Sequence, residues 1–263
     1  MHYHGGSMKY QLETIPIWDA YKKDTECPLC LLETKAEKNY ITFFLGSSIM
    51  NPEMRVKVNA TGFCPAHYRK LFDARENRHG LGLMTNTYLH RQKELLDKLR
   101  RELAKQAESA ASEGTVKGLL QNKKGLKEAV GTYRDRCSEA VRTCMICTRI
   151  DNTLARYAFT IVYLWKKDEE FKKVFSSSKG FCLFHLPRML DMAKETLNNK
   201  QLGEWLSMTL SIQQDRWDTL DRELYEFTQS YAYDHEASSQ KDHITALGDA
   251  IQKLTGILCT GKD

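Results

Sequence analysis

A chain that carries the same four metal-ligating side chains twice, at matched spacing, can fold only in ways that gather those side chains. Cys27, Cys30, Cys64 and His67 form one set, and Cys144, Cys147, Cys182 and His185 form the other. Each set reads Cys-x-x-Cys, a gap, then Cys-x-x-His, and the gaps are 33 and 34 residues long. A Cys-x-x-Cys turn brings two thiolates to one side of the backbone, and a distant Cys-x-x-His pair completes a tetrahedron of soft and borderline ligands. The reading is two Zn2+ ions, one per set, each set closing in the order in which its ligands occur. Of the eight cysteines only Cys137 and Cys259 stand outside this pattern, and they are expected to be buried small side chains rather than a disulfide.

The ligands are the fixed points of a longer self-similarity. Tyr40 and Tyr157 each follow the second cysteine by ten residues, and Gly62-Phe63 and Gly180-Phe181 each introduce a Cys-x-x-His pair. A shift of 121 residues superimposes Leu81-Gly82 on Leu202-Gly203, Gln92 on Gln213 and Arg101-Glu102-Leu103 on Arg222-Glu223-Leu224. This predicts a tandem duplication with repeats at 9–133 and 134–263, packed about a pseudo-twofold axis. Residues 1–8 are set apart as a leader or tag, with Met1 to Ser7 (MHYHGGS) standing ahead of a natural start at Met8, and His2 and His4 are given no role.

Helical period dominates, and strand signals are nearly absent. Ile150, Leu154, Tyr157, Ile161 and Leu164 form an apolar stripe at spacings of three and four. Pro28 suits the first turn of a helix beginning at Cys27, with Asp24 or Thr25 as its cap and Thr143 as the cap of its partner. A long helix follows each Cys-x-x-His, through Leu89, Leu96 and Leu103 in one half and Leu206, Leu210, Gln213, Trp217 and Leu220 in the other. A shorter amphipathic helix closes each half. Segments 46–59, 106–118, 176–180 and 233–241 read as loops. The fold class is therefore all-α, two zinc-tied helical-bundle modules.

Composition removes several functions. With 41% hydrophobic and 28% charged residues the chain is ordinary for a globular protein, and no apolar run is long enough to span a bilayer. No signal peptide is visible, so an even cysteine count at ligand spacing points to the cytoplasm and to metal. The net charge of +5 lies within residues 91–142, where thirteen Lys or Arg face eight Asp or Glu. Interleaved signs of this kind describe a solvated helix face, with a nucleic-acid surface as the alternative.

Zinc held by three thiolates and an imidazole is coordinatively closed, unlike hydrolytic zinc, which keeps a water. Each ion would pin the start of the first helix to the start of the third. An iron–sulfur cluster is the minor alternative, because such clusters use tighter cysteine runs. Arg69 and Arg188, just after the ligand histidines, are candidates to offset the negative site, although ordinary surface positions explain them as well. His79, His90, His235 and His243 have no partner at ligand spacing and read as helix-face residues. Trp18, Trp165, Trp205 and Trp217 read as core. No catalytic residue is singled out.

The duplicated Cys-x-x-Cys and Gly-Phe-Cys-x-x-His pattern resembles an uncharacterised bacterial family of cytoplasmic proteins known only as a domain of unknown function. The resemblance covers nearly the whole chain and implies no activity or substrate. The expected function is non-enzymatic: a zinc-stabilised helical module that binds a macromolecular partner, protein favoured over nucleic acid, with no membrane role. The alternatives are a thiol-based redox or metal sensor that releases zinc on oxidation, and a nucleic-acid-binding protein using residues 91–142.

Overall fold

Caps and prolines written into the sequence set most helix boundaries. The computed structural model describes residues 13–112, 116–230 and 240–259. Helices α1 (Thr14–Tyr21) and α2 (Pro28–Leu45) lead through a 3-10 turn (Ser47–Met50) to α3 (Pro52–Thr61), α4 (Pro65–Asp73) and a long pair, α5 (Arg78–Ser112) and α6 (Val116–Arg142). Then come α7 (Met145–Lys167), α8 (Glu169–Ser176), α9 (Leu186–Thr196) and a second long pair, α10 (Asn199–Ser230) and α11 (Gln240–Thr255). Among the described residues there is no strand, so the class is all-α as expected.

Two expected loops are helical. Within 46–59 the chain forms the 3-10 turn and α3, because Asn51 caps α3 by accepting a hydrogen bond from Met54 N at 3.1 Å and Pro52 occupies its first turn. Within 106–118, α5 continues to Ser112 and α6 begins at Val116. Of the segment 233–241, residues 233–239 lie outside the described residues, and α11 starts at Gln240. The leader, His235 and the side chain of His243 also lie outside them.

Compactness divides the chain into two units, and their boundaries fall inside helices. One unit joins the residues up to Ala36 with those from Ile150 onward; the other is the continuous segment Glu37–Arg149. These boundaries differ from the halves 9–133 and 134–263 marked by the sequence repeat. In the first unit an aromatic cluster fills the core: Phe171 meets Trp18 and Tyr21 edge-on at 5.3 and 4.9 Å, and Phe175 lies 6.2 Å from Trp205. Burying each such ring is worth roughly 1.5–3 kcal/mol. Trp165 and Trp205 are buried as expected, whereas Trp18 and Trp217 are only half-buried. In the second unit Phe44 packs edge-on against Phe63 at 5.3 Å, above buried Met54, Val58, Leu71 and Met84.

The Gly-Phe-Cys turns are backbone devices. Gly62 has φ 63° and ψ −154°, a region open essentially to glycine alone, and Gly180 has φ 77°. Neighbours close both positions further: a Cβ on Gly62 would fall 2.5 Å from the Tyr88 ring, and one on Gly180 would fall 2.2 Å from Gln213 Oε1. Gly62→Ala is expected to lower unfolding stability by about 1–3 kcal/mol from backbone strain alone, read as a fall in the urea midpoint with unchanged m-value.

Candidate metal centres

Each Cys-x-x-Cys turn begins a helix and each Cys-x-x-His pair lies at the start of another. Cys27 precedes α2, and its N–H reaches Thr25 Oγ1 at 3.4 Å, which shapes the turn leading into the helix rather than bonding a first-turn N–H as the expected cap would. Thr143 is not the corresponding cap of α7. Its hydroxyl turns back to donate to Thr61 O at 2.7 Å, and Cys144 Sγ accepts from Cys147 N instead. Cys64 is the N-cap of α4 and His185 that of α9, each helix having proline in its first turn.

The eight predicted ligands gather into two groups of four that could each hold a metal ion, but the grouping is not the sequential one. Cys27 and Cys30 meet Cys182 and His185; Cys64 and His67 meet Cys144 and Cys147. The sets are nested, the second lying wholly within the sequence enclosed by the first. The expected sets Cys27/Cys30/Cys64/His67 and Cys144/Cys147/Cys182/His185 are thus corrected, and so is the idea that a metal pins the first helix of a half to its third. The reason is the connector. Helix α2 is 18 residues long, about 27 Å at 1.5 Å per residue, and the stretch after it is helical rather than a free return loop. Phe63 then packs on Phe44 near the C-terminal end of α2, so Cys64 starts from the end opposite to Cys30.

In the outer cluster Cys30 and Cys182 sulfurs lie 3.6 Å apart, and His185 Nδ1 lies 3.6, 3.5 and 3.3 Å from Cys27, Cys30 and Cys182. In the inner cluster Cys64 and Cys147 sulfurs are 3.8 Å apart, and His67 Nδ1 lies 3.2, 3.3 and 3.3 Å from Cys64, Cys144 and Cys147. All four donor atoms of each group fall within 4.8 Å of one another. The outer cluster is wholly buried; in the inner one Cys64 is half-buried and Cys147 exposed.

Both imidazoles turn Nδ1 to the sulfurs and Nε2 to a glutamate, the carboxylate–histidine arrangement that fixes ring orientation at metal sites. His67 Nε2 donates to Glu37 Oε1 at 3.0 Å, and Lys70 donates to the other oxygen of Glu37 at 2.5 Å. Glu33 Oε2 sits 3.2 Å from His185 Nε2, within ion-pair reach but off hydrogen-bond alignment. Both glutamates come from α2. Counted from Cys147, the matching positions on α7 are Ile150 and Leu154, so the repeat is broken here. Sequence reading missed this pair, although Glu33 and Glu37 follow Cys30 by three and seven residues, a helical face spacing.

Hydrogen bonding between imidazole and thiolate within each cluster favours the charged form of both partners. Burial alone would lower His67, but its bonds to Cys144 and Glu37 outweigh it and push the imidazole up to about 10. His185 rises to about 11 against the same burial, through Cys182, Cys27 and Glu33. Cys144, although burial opposes it, falls to about 6 through the His67 bond. Hydrogen bonding to His67 holds Glu37 down at about 2.

Around the outer cluster lies a buried charge network the sequence did not announce. Glu26, fully buried beside Cys27, takes two hydrogen bonds from Arg216 Nε at 2.9 and 3.0 Å. Lys253, also fully buried, donates to Lys179 O and to Gln213 Oε1 and lies 3.9 Å from Glu26. Gln213 grips Phe181 at both backbone atoms, at 3.0 and 2.9 Å, next to Cys182. In the inner cluster the equivalent support comes from Met145 N, which donates to Gly62 O at 3.0 Å; Pro28, at the corresponding place, has no N–H to give. Of the two arginines considered for charge offset, Arg188 pairs with Asp151 and Arg69 lines a separate cleft. His79 and His90 are exposed, as expected for helix faces. Cys137 is half-buried and Cys259 exposed, so neither is the buried side chain expected.

The chain belongs to the Family of unknown function (DUF6062), which matches residues 8–260. No curated protein and no solved structure matches it. The nested grouping has a direct test. Cys30→Ser combined with Cys182→Ser should leave one metal equivalent per chain by elemental analysis, whereas Cys30→Ser combined with Cys64→Ser should leave none; sequential sets require the reverse. Glu37→Gln should weaken metal retention by the inner cluster by roughly 10–100-fold in chelator competition, leaving the outer cluster unchanged.

Proposed function

We propose that the chain is a non-enzymatic zinc protein whose eight cysteine and histidine ligands hold two structural Zn2+ ions, and that it serves as an interaction or regulatory module for a macromolecular partner. The observation that carries this reading is the donor spacing. Zinc–sulfur bonds of about 2.3 Å and zinc–nitrogen bonds of about 2.0–2.1 Å give tetrahedral edges of about 3.8 Å between sulfurs and about 3.6 Å between sulfur and nitrogen. The separations of 3.6 and 3.8 Å between sulfurs and of 3.2–3.6 Å from sulfur to nitrogen lie at or a few tenths of an ångström under these edges, which supports a single ion at each centre. An iron–sulfur cluster spreads its four protein ligands over two or more irons, so it does not draw all four donor atoms within 4.8 Å of one another. Four protein donors fill the tetrahedron, which leaves no position for a reacting water and favours structure over catalysis.

The duplication at 9–133 and 134–263 belongs to the same proposal. Positive-φ Gly62 and Gly180, buried Phe63 and Phe181 and the shared use of Nδ1 support it. With a duplicated chain, the nested pairing joins the Cys-x-x-Cys of one copy to the Cys-x-x-His of the other.

The redox alternative is favoured by one observation, the exposure of Cys147 and partial exposure of Cys64 in the inner cluster. There, two thiolates can pass two electrons to a peroxide, closing a disulfide, while the peroxide and two protons leave as two waters and the metal is released. In the 91–142 segment, pairs such as Arg100–Asp97 and Arg134–Asp135 agree with a solvated helix face and lend nothing to nucleic-acid binding.

Purified protein should contain two equivalents of zinc and show no visible absorbance; iron with a charge-transfer spectrum, or fewer than two equivalents, would overturn the assignment. Chelator should remove the metal in two phases, the inner equivalent first, and the same order is expected under peroxide if the redox reading holds. Zinc content unchanged by peroxide would remove that reading and leave the structural one intact.

A further inference from the structure

A cleft of about 930 Å³ opens between α4 and the first half of α5, within the unit 37–149. Its volume lies in the range of small-molecule sites, roughly 300–1,000 Å³. Helical spacing aligns Tyr68 with Phe72 on α4 and Arg78, Leu81 and Leu89 on α5, so two faces converge on one space. The apolar walls are left open to water: Phe72 is 56% exposed and Leu89 65%.

Gly82 makes the floor. A side chain there would meet nothing within 4 Å, so no contact within the chain requires a glycine. A glycine in a helix interior costs about 1 kcal/mol relative to alanine. Its cost leaves room over the helix that an alanine or larger residue would fill.

The charges at this cleft point to the sign of the occupant. Arg69 and Arg78 both line it, and among the described residues neither has a carboxylate within ion-pair distance, although Asp73 lines the same wall. The Arg78 guanidinium lies 4.1 Å from the centre of the Phe72 ring. A guanidinium stacked by its face keeps its in-plane N–H fork available to a planar carboxylate. The comparable cleft beside Gly203 in the other unit has no arginine; its one cation, Lys172, is outnumbered by Glu204 and Asp215, so its charge favours an anion less.

We propose that the α4–α5 cleft binds a small amphipathic carboxylate, its apolar body between Phe72, Leu81 and Leu89 and its carboxylate on Arg69 and Arg78. The site is independent of the metal assignment, although α4 is also the helix that carries His67.

Decanoate and the fluorescent anion 8-anilinonaphthalene-1-sulfonate are suitable probes, used on the full metal-loaded chain. The fluorophore should bind with one site per chain and be displaced by decanoate far better than by decanol or decyltrimethylammonium. Arg69→Gln with Arg78→Gln should weaken decanoate by roughly tenfold or more, as expected for losing charge-assisted hydrogen bonds. Gly82→Leu should abolish binding of both probes by filling the floor. Metal content and far-ultraviolet circular dichroism, unchanged in these variants, separate loss of the site from loss of the fold or of the zinc reading. Absence of fluorophore binding, equal displacement by decanol, or unaltered decanoate affinity in the double arginine variant would each overturn the proposal.

Discussion

Nested pairing of cysteines and histidines is the constraint on which the rest of the molecule depends. Each cluster joins a Cys-x-x-Cys turn at the start of one helix to a Cys-x-x-His pair far away in sequence, 152 residues for Cys30 and Cys182 and 77 for Cys144 and His67. The sequence separation decides how the compact units are cut: the inner set sits in one continuous segment, and the outer set draws the two flanking segments into the other unit. Closing such long loops costs conformational entropy that grows only slowly with length, so four convergent ligands at each centre can offset it if they hold metal.

The two centres meet the same electrostatic problem differently. Three thiolates around one imidazole concentrate negative charge, and both centres raise the histidine and engage a glutamate at Nε2. The buried outer cluster adds Lys253, whose ammonium is pulled below the ordinary lysine range by burial while Glu26 and Cys27 oppose that fall. The inner cluster has solvent at Cys147 and needs no buried cation. Glu26 itself is tolerated because Arg216 answers it with two bonds; removing one partner of a buried pair generally costs more than the pair contributes.

Most of the helical class was legible because periodic stripes such as Ile150, Leu154 and Ile161 are long and regular, and all three are buried in α7. The eight residues that converge were legible too, since cysteine and histidine at these spacings have few other uses. Their grouping was not legible. Matched gaps are equally compatible with sequential and nested sets, and only the helicity of 47–61 decides between them. That helicity was signalled by Asn51 and Pro52, but the low apolar content of α3 concealed it. The second layer of residues escaped for a related reason: Glu33, Glu37, Gln213 and Lys253 are ordinary polar residues until the fold shows which of them are buried or facing a ring nitrogen. Cys137 and Cys259 show the opposite failure, where residue type suggested burial but one lies half-buried on α6 and the other exposed beyond the end of α11.

Nesting also imposes an order on biosynthesis. A ribosome releases Cys27 and Cys30 first, yet their partners Cys182 and His185 leave last, after the whole inner set has been made. The middle of the chain can therefore complete its ligand shell while the amino-terminal pair is still waiting with free thiols. Domains generally fold as units during synthesis, and long-range pairings are the slow ones. The oldest cysteines in the nascent chain are thus among the last to find their place, and that part of the molecule depends longest on a reducing surrounding.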